Sequence, residues 1–272
     1  MNNELSIITA TYNRPEKFKT ICLASILSQS QKNFEWVIVN DGADQETRKI
    51  IEEIKSPISI NYIETPHQGL CKSRNLGLEY ASRELVGFLD DDNQIYNNYV
   101  EQIIIHFQDN PHIFMAMPIQ DRRRDVYREG KLVRKGKEFI SPKPEASNED
   151  FVRGRAIFDS NGFVHHQNER IRFNENLLIL SDFEYLLQCF SEWGFDSFLL
   201  LKQHLVRYIQ TSDGIIGQSK WQDWLKDTEY LWKNRSQYKI FSILDPSDWL
   251  PQSIAEIKRK IENNEKIPGF SE

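Results

Sequence analysis

Cysteine is scarce in this chain. Three occur in 272 residues, Cys22, Cys71 and Cys189, far apart and without the paired spacing of a metal site. Each lies among apolar or helix-like neighbours, so buried free thiols in a reducing compartment are expected and a disulfide scaffold is excluded. Glycine (12) and proline (10) are not enriched, which removes collagen-like and low-complexity classes. No apolar run approaches the ~20 residues of a membrane span. Leu5 to Ala10 is too short, and lacks the basic leader, to read as a signal peptide. A cytoplasmic chain with no transmembrane segment is expected, peripheral membrane contact being left open. Positive charge is in deficit as well. The formal net charge of -6 argues against a general nucleic-acid partner, which would carry a basic stripe. The same field repels phosphate, so a phosphate ligand calls for a bound cation or a local cluster of Arg and Lys.

What is present is a core-building composition, 39% hydrophobic and 12% aromatic, suited to one large α/β domain or two closely packed halves. The first hundred residues alternate strand and helix signals, the pattern of a mostly parallel sheet flanked by helices. Strands are predicted at Leu5–Thr11, Phe34–Val39, Ile58–Ile63 and Leu85–Leu89. Helices follow each: one with Pro15 in its first turn and Phe18, Ile21, Cys22 and Ile26 inward, one capped by Asp44, one over Leu70–Ser82, and one striped by Tyr99, Val100, Ile103, Ile104 and Phe107. After Pro111 the rhythm changes. Ile113–Ile119 reads as a strand, Asp121–Lys137 as an exposed charged hairpin or loop around Glu129-Gly130, and Ser141–Asn148 as a loop. A helix-bearing segment at Arg172–Trp193 and a strand at Phe198–Ile209 come next. The tail carries a helix with Trp221, Trp224, Leu225, Thr228, Leu231 and Trp232 on one side, then an amphipathic helix at Ser253–Glu262. The aromatic tail from Trp221 to Trp249 could bind a lipid-linked acceptor, a carbohydrate or a partner subunit, with core packing the leading reading because the aromatics follow one helical stripe.

Three polar clusters sit where such strands end. Asp90-Asp91-Asp92 follows an apolar strand, and ligands of open α/β sheets bind at the carboxyl ends of strands. Three adjacent carboxylates repel one another, so the triplet is either a solvated acidic turn or an oxygen-donor site for Mg²⁺ or Mn²⁺. Asp41, before Gly42, is either an Asx turn or an acceptor for a nucleobase or ribose edge. Lys72 and Arg74, in a helix start beginning at His67-Gln68-Gly69, are either surface cations or partners for a diphosphate. Asp182, Tyr185, Leu186, Cys189, Phe190 and Trp193 follow helical spacing, which puts the Asp182 carboxylate on the inward face. Ser181 and Glu184 fit a capping box, leaving Asp182 one position inside the helix.

Taken in order, these segments resemble glycosyltransferase family 2 with its GT-A fold. Ser6–Arg14 looks like the family's opening strand and turn, with Ala10 in place of a proline. Val39-Asn40-Asp41-Gly42 is similar to its Asp-Asp-Gly segment, with Asn40 for the first Asp. Gly69–Gly77 resembles Gly-Leu-Ser-x-Ala-Arg-Asn-x-Gly, with Arg74 and Asn75 in register. Phe88–Asp92 looks like the Asp-x-Asp motif. Phe173–Asp182 resembles the segment carrying Glu-Asp, with Ser181 for the Glu. The match fades between Pro118 and Glu169 and after Ile209, where acceptor choice would be encoded. The resemblance implies donor contacts at Ala10, Thr11, Tyr12, Arg14, Asp41, Lys72, Arg74, Asp90 and Asp91, a metal ligand at Asp92, and a catalytic base at Asp182. It implies Mn²⁺ or Mg²⁺ as cofactor, a nucleotide-diphosphate sugar (UDP-sugar by default) as donor, and a carbohydrate or lipid-linked acceptor. Inversion at the anomeric carbon follows from one base opposite the leaving group. The halves would run 1–115 for the nucleotide sugar, 116–215 for the acceptor and 216–272 as a helical extension. Many family members carry a His near the strand that here reads Val206–Gln210, which has none. His165 and His166 could supply an imidazole from elsewhere, or be partly exposed loop residues. A sugar nucleotidyltransferase would place a Gly- and basic-rich phosphate loop after the first strand, where Tyr12-Asn13-Arg14-Pro15 stands instead. A non-catalytic glycan-binding scaffold would not call for both the triplet and Asp182. No Gly-x-Gly-x-x-Gly follows the first strand, against a dehydrogenase.

Overall fold

The computed structural model describes residues 4–129 and 131–270. Gly130, about which the charged hairpin is predicted to turn, lies outside the described residues. In chain order the elements are β1 (Leu5–Thr11), α1 (15–27), β2 (Glu35–Asp41), α2 (Gln45–Glu52), β3 (Ser59–Thr65), α3 (Leu70–Tyr80), β4 (Leu85–Phe88), β5 (Gln94–Ile95) and α4 (Tyr99–Asp109). There follow β6 (Met115–Arg128), β7 (Lys131–Arg134), β8 (Phe139–Ser141), α5 (Asn148–Val152), β9 (Val164–His166), α6 (Ser181–Trp193), β10 (Phe198–Thr211), α7 (Ile215–Gln218), α8 (Trp221–Lys233) and α9 (Leu250–Glu262).

The chain divides into two compact units. The first comprises 1–120, 159–173 and 197–208. Its sheet runs β3-β2-β1-β4-β9-β6-β10-β5. β1 to β4 are mutually parallel, β9 is antiparallel to both β4 and β6, and β5 is antiparallel to β10. All seven residues of β2 are buried, as expected of a parallel strand covered on both faces. Trp36 on β2 packs on Phe18 of α1 and donates to Thr9 Oγ1 at 3.0 Å. Helix α1 is continuous but widens into π-helical turns over Phe18–Leu23, which keeps both Phe18 and Cys22 fully inward. Asp44 caps α2 as predicted, accepting from the Thr47 amide at 2.7 Å. Helix α3 lies close against β1: a Cβ built on Gly77 would stand 2.4 Å from Ile8 Cγ2.

Two expectations are corrected in this unit. Cys71 is half-buried, unlike the buried Cys22 and Cys189, although none of the three is paired in a disulfide. His165 and His166 are strand residues, not loop residues: β9 inserts between β4 and β6, so the His165 side chain is fully buried against Phe88 and Phe163. Burial lowers His165 to about 4, the bond to the His166 carbonyl only partly opposing it.

The second unit comprises 121–158, 174–196 and 209–272. The predicted charged hairpin forms here, β7 returning along β6 with Val126 opposite Arg134. Strand β6 runs well past the predicted Ile119, and Arg122 and Asp125 within it are buried, while β7 is exposed along its length. Helices α8 and α9 pack together, with Asp227, Thr228 and Leu231 of α8 buried and the indoles of Trp221, Trp224 and Trp232 half-buried. Among the described residues no helix is long and apolar enough to cross a membrane.

Candidate active site

In the first unit, β2 and β3 lie on one side of β1 and β4 on the other, so the connection reverses direction between β1 and β4. Ligands of open α/β sheets bind in the crevice at such a reversal, beyond the carboxyl ends of the strands. The two ends meet there. Thr11, last in β1, donates from Oγ1 to Asp91 Oδ2 at 2.8 Å. Arg14, in the turn after β1, donates to Asp92 Oδ2 at 3.1 Å and reaches Asp91 Oδ1 at 3.5 Å. Pro15 starts α1 immediately afterwards, with Asn13 at φ 50, so the chain turns sharply enough to point Arg14 back at the triplet.

The three carboxylates differ in their partners. Asp90 is gripped from two sides: Arg74 Nη2 donates to Oδ1 at 2.6 Å, and Asn161 Nδ2 donates to Oδ2 at 2.8 Å. The Asp90 amide in turn donates to Asn161 Oδ1 at 2.7 Å. Burial alone would raise Asp90, but the Arg74 charge and the two hydrogen bonds outweigh it and hold the acid below its usual range. Asp91 moves the other way, to about 7, through burial first and the neighbouring Asp92 charge second, with Arg14 and Thr11 opposing. Asp92 is raised by burial and by Asp90, again against Arg14. Arg14 is 39% exposed, so solvent screens much of what it offers to two acids.

Arg74, expected at a diphosphate, is a buried residue whose guanidinium lies 5.0 Å from the centre of the Phe173 ring while bonding Asp90. Asn75 holds that ring in place by exchanging two hydrogen bonds with the Phe173 backbone, at 2.9 and 2.7 Å. Lys72 is exposed in the first turn of α3. Asp41, at the end of β2, is turned toward the chain itself: Oδ1 accepts from the Gln68 amide at 2.7 Å, Oδ2 from the Gly69 amide at 3.0 Å, and His67 Nδ1 stands 2.9 Å from Oδ2. Asp41 thereby sets the turn that opens α3. Tyr12 stacks on His67 with ring centres 3.8 Å apart and is 43% exposed. Gly42, at φ +110, leaves room for that ring, since a Cβ would come within 3.0 Å of Tyr12 Cε2. Ala10 is half-buried between these groups along β1.

Asn161 is the residue that sequence reasoning missed. It belongs to a buried polar chain in which Gln120 Nε2 donates to Asp159 Oδ1 at 3.1 Å and to the Asn161 carbonyl at 2.7 Å, and the Asn161 amide donates to Asp159 Oδ1 at 3.0 Å. Gly162 makes this possible: its amide bonds the Phe88 carbonyl at 2.9 Å, and at φ +77 a Cβ would meet Val206 Cγ2 at 2.3 Å. Asn-Gly after an aspartate was the available signal, readable as a tight turn though not as a partner of Asp90.

Asp182 lies in the second unit, half-buried at the second position of α6. The predicted capping box does not form. Ser181 is already inside the helix, and Glu184 instead accepts from Tyr238 Oη and Gln188 Nε2, each at 2.8 Å. The segment leading into the helix is held from α8 instead: Asp227 Oδ2 accepts the amides of Leu178, Ile179 and Leu180 at 3.0, 2.6 and 3.0 Å.

A mixed α/β sheet whose parallel strands reverse beside an acidic strand end has the crevice in which ligands of such sheets bind, and comparison with known proteins narrows the class. Residues 6–170 match the profile described as Glycosyl transferase family 2. The chain belongs to glycosyltransferase family 2. The match runs through the 118–169 stretch, where the motif resemblance fades, and stops before Asp182. The chain is 36% identical over 112 residues to glycosyltransferase GlyA of Streptococcus pneumoniae, covering 40% of this chain and 16% of that protein. It is 27% identical over 194 residues to the teichoic acid poly(glycerol phosphate) polymerase of Staphylococcus epidermidis, covering 68% of this chain and 26% of that one. It therefore spans about a sixth and a quarter of these relatives' lengths. Among solved structures, S. aureus TarS 1–349 in complex with UDP superimposes with a TM-score of 0.64 at 18% identity, over 94% of this chain and 71% of that one. The same protein with UDP-GlcNAc gives 0.63 at 17% identity, over 84% and 65%. The shared fold is of the GT-A type.

Proposed function

We propose that the chain is a metal-dependent, inverting glycosyltransferase that takes a UDP-sugar at the β1/β4 crevice and passes the sugar to an acceptor hydroxyl of a carbohydrate or lipid-linked substrate. The observation that carries the reading is the division of labour in the triplet. Asp90 is held ionised by Arg74 and Asn161, whereas Asp91 and Asp92 are pushed toward protonation by burial and by a neighbouring acid, Asp92 acting on Asp91 and Asp90 on Asp92, with the screened Arg14 between them. Two oxygen-donor acids in that state fit Mg²⁺ or Mn²⁺, which take few protein carboxylates and complete their shell with water and phosphate. Among the described residues no cluster of three or more His, Cys, Asp and Glu side chains could hold a metal ion, and the proposed site would use one or two carboxylates. Asp92 is the proposed ligand, with Asp91 beside it. Bound there, the ion supplies a Lewis acid for the departing diphosphate.

The remaining roles belong to the chain. Tyr12 and the turn held by Asp41 lie at the strand ends where the nucleoside is proposed to sit. Lys72, in the first turn of α3, offers positive charge to the diphosphate, and Arg74 fixes Asp90 for the ribose side. Asp182 is the proposed base that accepts the acceptor's hydroxyl proton as its oxygen attacks the anomeric carbon. The relatives named as glycosyltransferases and the TarS complexes with UDP and UDP-GlcNAc support the donor class.

Calorimetric titration with UDP, GDP and dTDP, with and without Mn²⁺, tests the reading on wild type and Asp92→Asn. UDP binding that needs both the metal and Asp92 is expected, with a loss of at least tenfold in affinity on removing either. Metal-independent binding, unchanged in Asp92→Asn, would make the triplet a structural turn and the chain a non-catalytic binder.

A further inference from the structure

We infer that Asp227, outside the family match, is a positioning residue that sets the first turn of α6 and with it Asp182; the inference rests on the proposed base role of Asp182. Asp227 is fully buried on α8. Its Oδ2 collects three consecutive amides, Leu178, Ile179 and Leu180, at 2.6 to 3.0 Å. Successive amides converging on one anion form a nest, and these lie immediately ahead of the α6 N-terminus. Leu180, the last of the three, is the residue at the cap position and has no side-chain cap of its own, so Asp227 fixes the backbone up to the point where the helix begins. Helix α8 grips the same segment a second time. Tyr230, one turn beyond Asp227, accepts at its Oη from Asn174 Nδ2 at 2.8 Å, at the segment's start.

Helix capping alone does not call for this arrangement. A neutral Ser, Thr or Asn caps a helix without burying a charge, whereas Asp227 Oδ1 is buried with no hydrogen-bond partner among the described residues, a costly state for a carboxylate oxygen. What a carboxylate adds is three charge-assisted bonds, shorter and stronger than neutral ones, on the three residues that immediately precede α6. Asp182 follows two residues after the last of them. A catalytic base must be held tightly, because misplacement by about 1 Å can cost on the order of a hundredfold in rate. The C-terminal helices would thereby be a working part of the transfer machinery, acting through the α6 N-terminus.

The test uses the full chain. Hydrolysis of UDP-glucose, UDP-galactose and UDP-GlcNAc with Mn²⁺ identifies a donor that wild type turns over, and kcat, KM, UDP affinity and amide exchange at 178–184 are then measured in Asp227→Asn, Asp182→Asn and the double variant. Asp227→Asn is expected to lower kcat at least tenfold with donor KM and UDP affinity within twofold of wild type, and to speed exchange at Leu178–Leu180. In the Asp182→Asn background, already depleted in turnover, it should cost nothing further. Tyr230→Phe, which removes one hydroxyl, should lower kcat two- to fivefold and stands in if Asp227→Asn fails to fold. Unchanged kcat in the folded variants, or an equal loss in both backgrounds, overturns the positioning role. Full turnover by Asp182→Asn sinks the base assignment instead, and no hydrolysis by wild type overturns the proposed function together with this inference.

Discussion

Asp90 reaches Arg74 and Asn161, whereas Asp91 and Asp92 share the half-exposed Arg14, and this split decides which carboxylates a cation would meet. Three adjacent aspartates at a strand end were legible in the sequence as an acidic site. Their inequality was not, because it is made by Asn161, some seventy positions away, through contacts that no local spacing encodes. His165 poses the converse case: it read as one of two loop histidines, yet three residues of strand place it wholly inside. Its titration is a measurable consequence. A histidine whose folded value is lowered to about 4 binds fewer protons in the native than in the unfolded state between that pH and about 6.5. Its contribution is therefore fully present above pH 6.5 and is lost as pH falls toward 4. The span corresponds to about 3 kcal/mol. Urea unfolding at pH 7.5, 6, 5 and 4 should show wild type losing this increment relative to His165→Asn, whose curve is flatter by that amount. Parallel curves would mean that the ring is hydrated in the native state.

At the scale of elements, the alternation of β1 to β4 with their helices was readable because each strand is an apolar run and each helix an amphipathic stripe. What escaped were elements defined by partners. β9 is three residues long, too short for any period, and exists because β4 and β6 flank it. β6 continues through Arg122–Arg124 because Arg123 is matched by Asp125 at 2.8 Å, which lets a charged run stay in a strand. The Ser181–Glu184 pair had the spacing of a capping box, but Ser181 falls inside the helix and Glu184 is taken by Tyr238 and Gln188. Gly77 is the element-level feature with the clearest consequence. Alanine there would gain roughly 1 kcal/mol of helix propensity, but its Cβ would stand 2.4 Å from Ile8 Cγ2, and overpacking of this kind costs about 1–3 kcal/mol. The overlap wins, because a β-branched side chain on a buried strand has no free rotamer to retreat to. Gly77→Ala should lose up to about 2 kcal/mol in urea unfolding once the propensity gain is set against the overlap. In its background Ile8→Ala should cost less than it does alone, the mark of direct contact. Additive losses would show that α3 shifts away from β1 as a body.

For the whole molecule, a formal net charge of -6 faces a proposed ligand that is itself an anion, and the family match ends at residue 170 while Asp182 and Asp227 lie beyond it. The family match therefore covers the strand ends of the first unit, and the segments carrying Asp182 and Asp227 are understood through their own contacts. The charge problem has a thermodynamic reading. If a cation at Asp92 reverses the local field, nucleotide and metal stabilise the native chain only together. A ligand at a hundred times its Kd adds about 2.7 kcal/mol, which for a domain of this size moves the midpoint by roughly 5–10 °C. Thermal unfolding followed by tryptophan fluorescence should therefore show a shift of that size with UDP and Mn²⁺ combined, and about 2 °C or less with either alone. In Asp92→Asn the combined shift should collapse to the single-ligand value, since the variant leaves the nucleotide facing an acidic surface with no cation to bridge them. A full shift from UDP alone would show that Arg14 and Lys72 suffice to overcome the protein's field, and the metal would then have no part in donor binding.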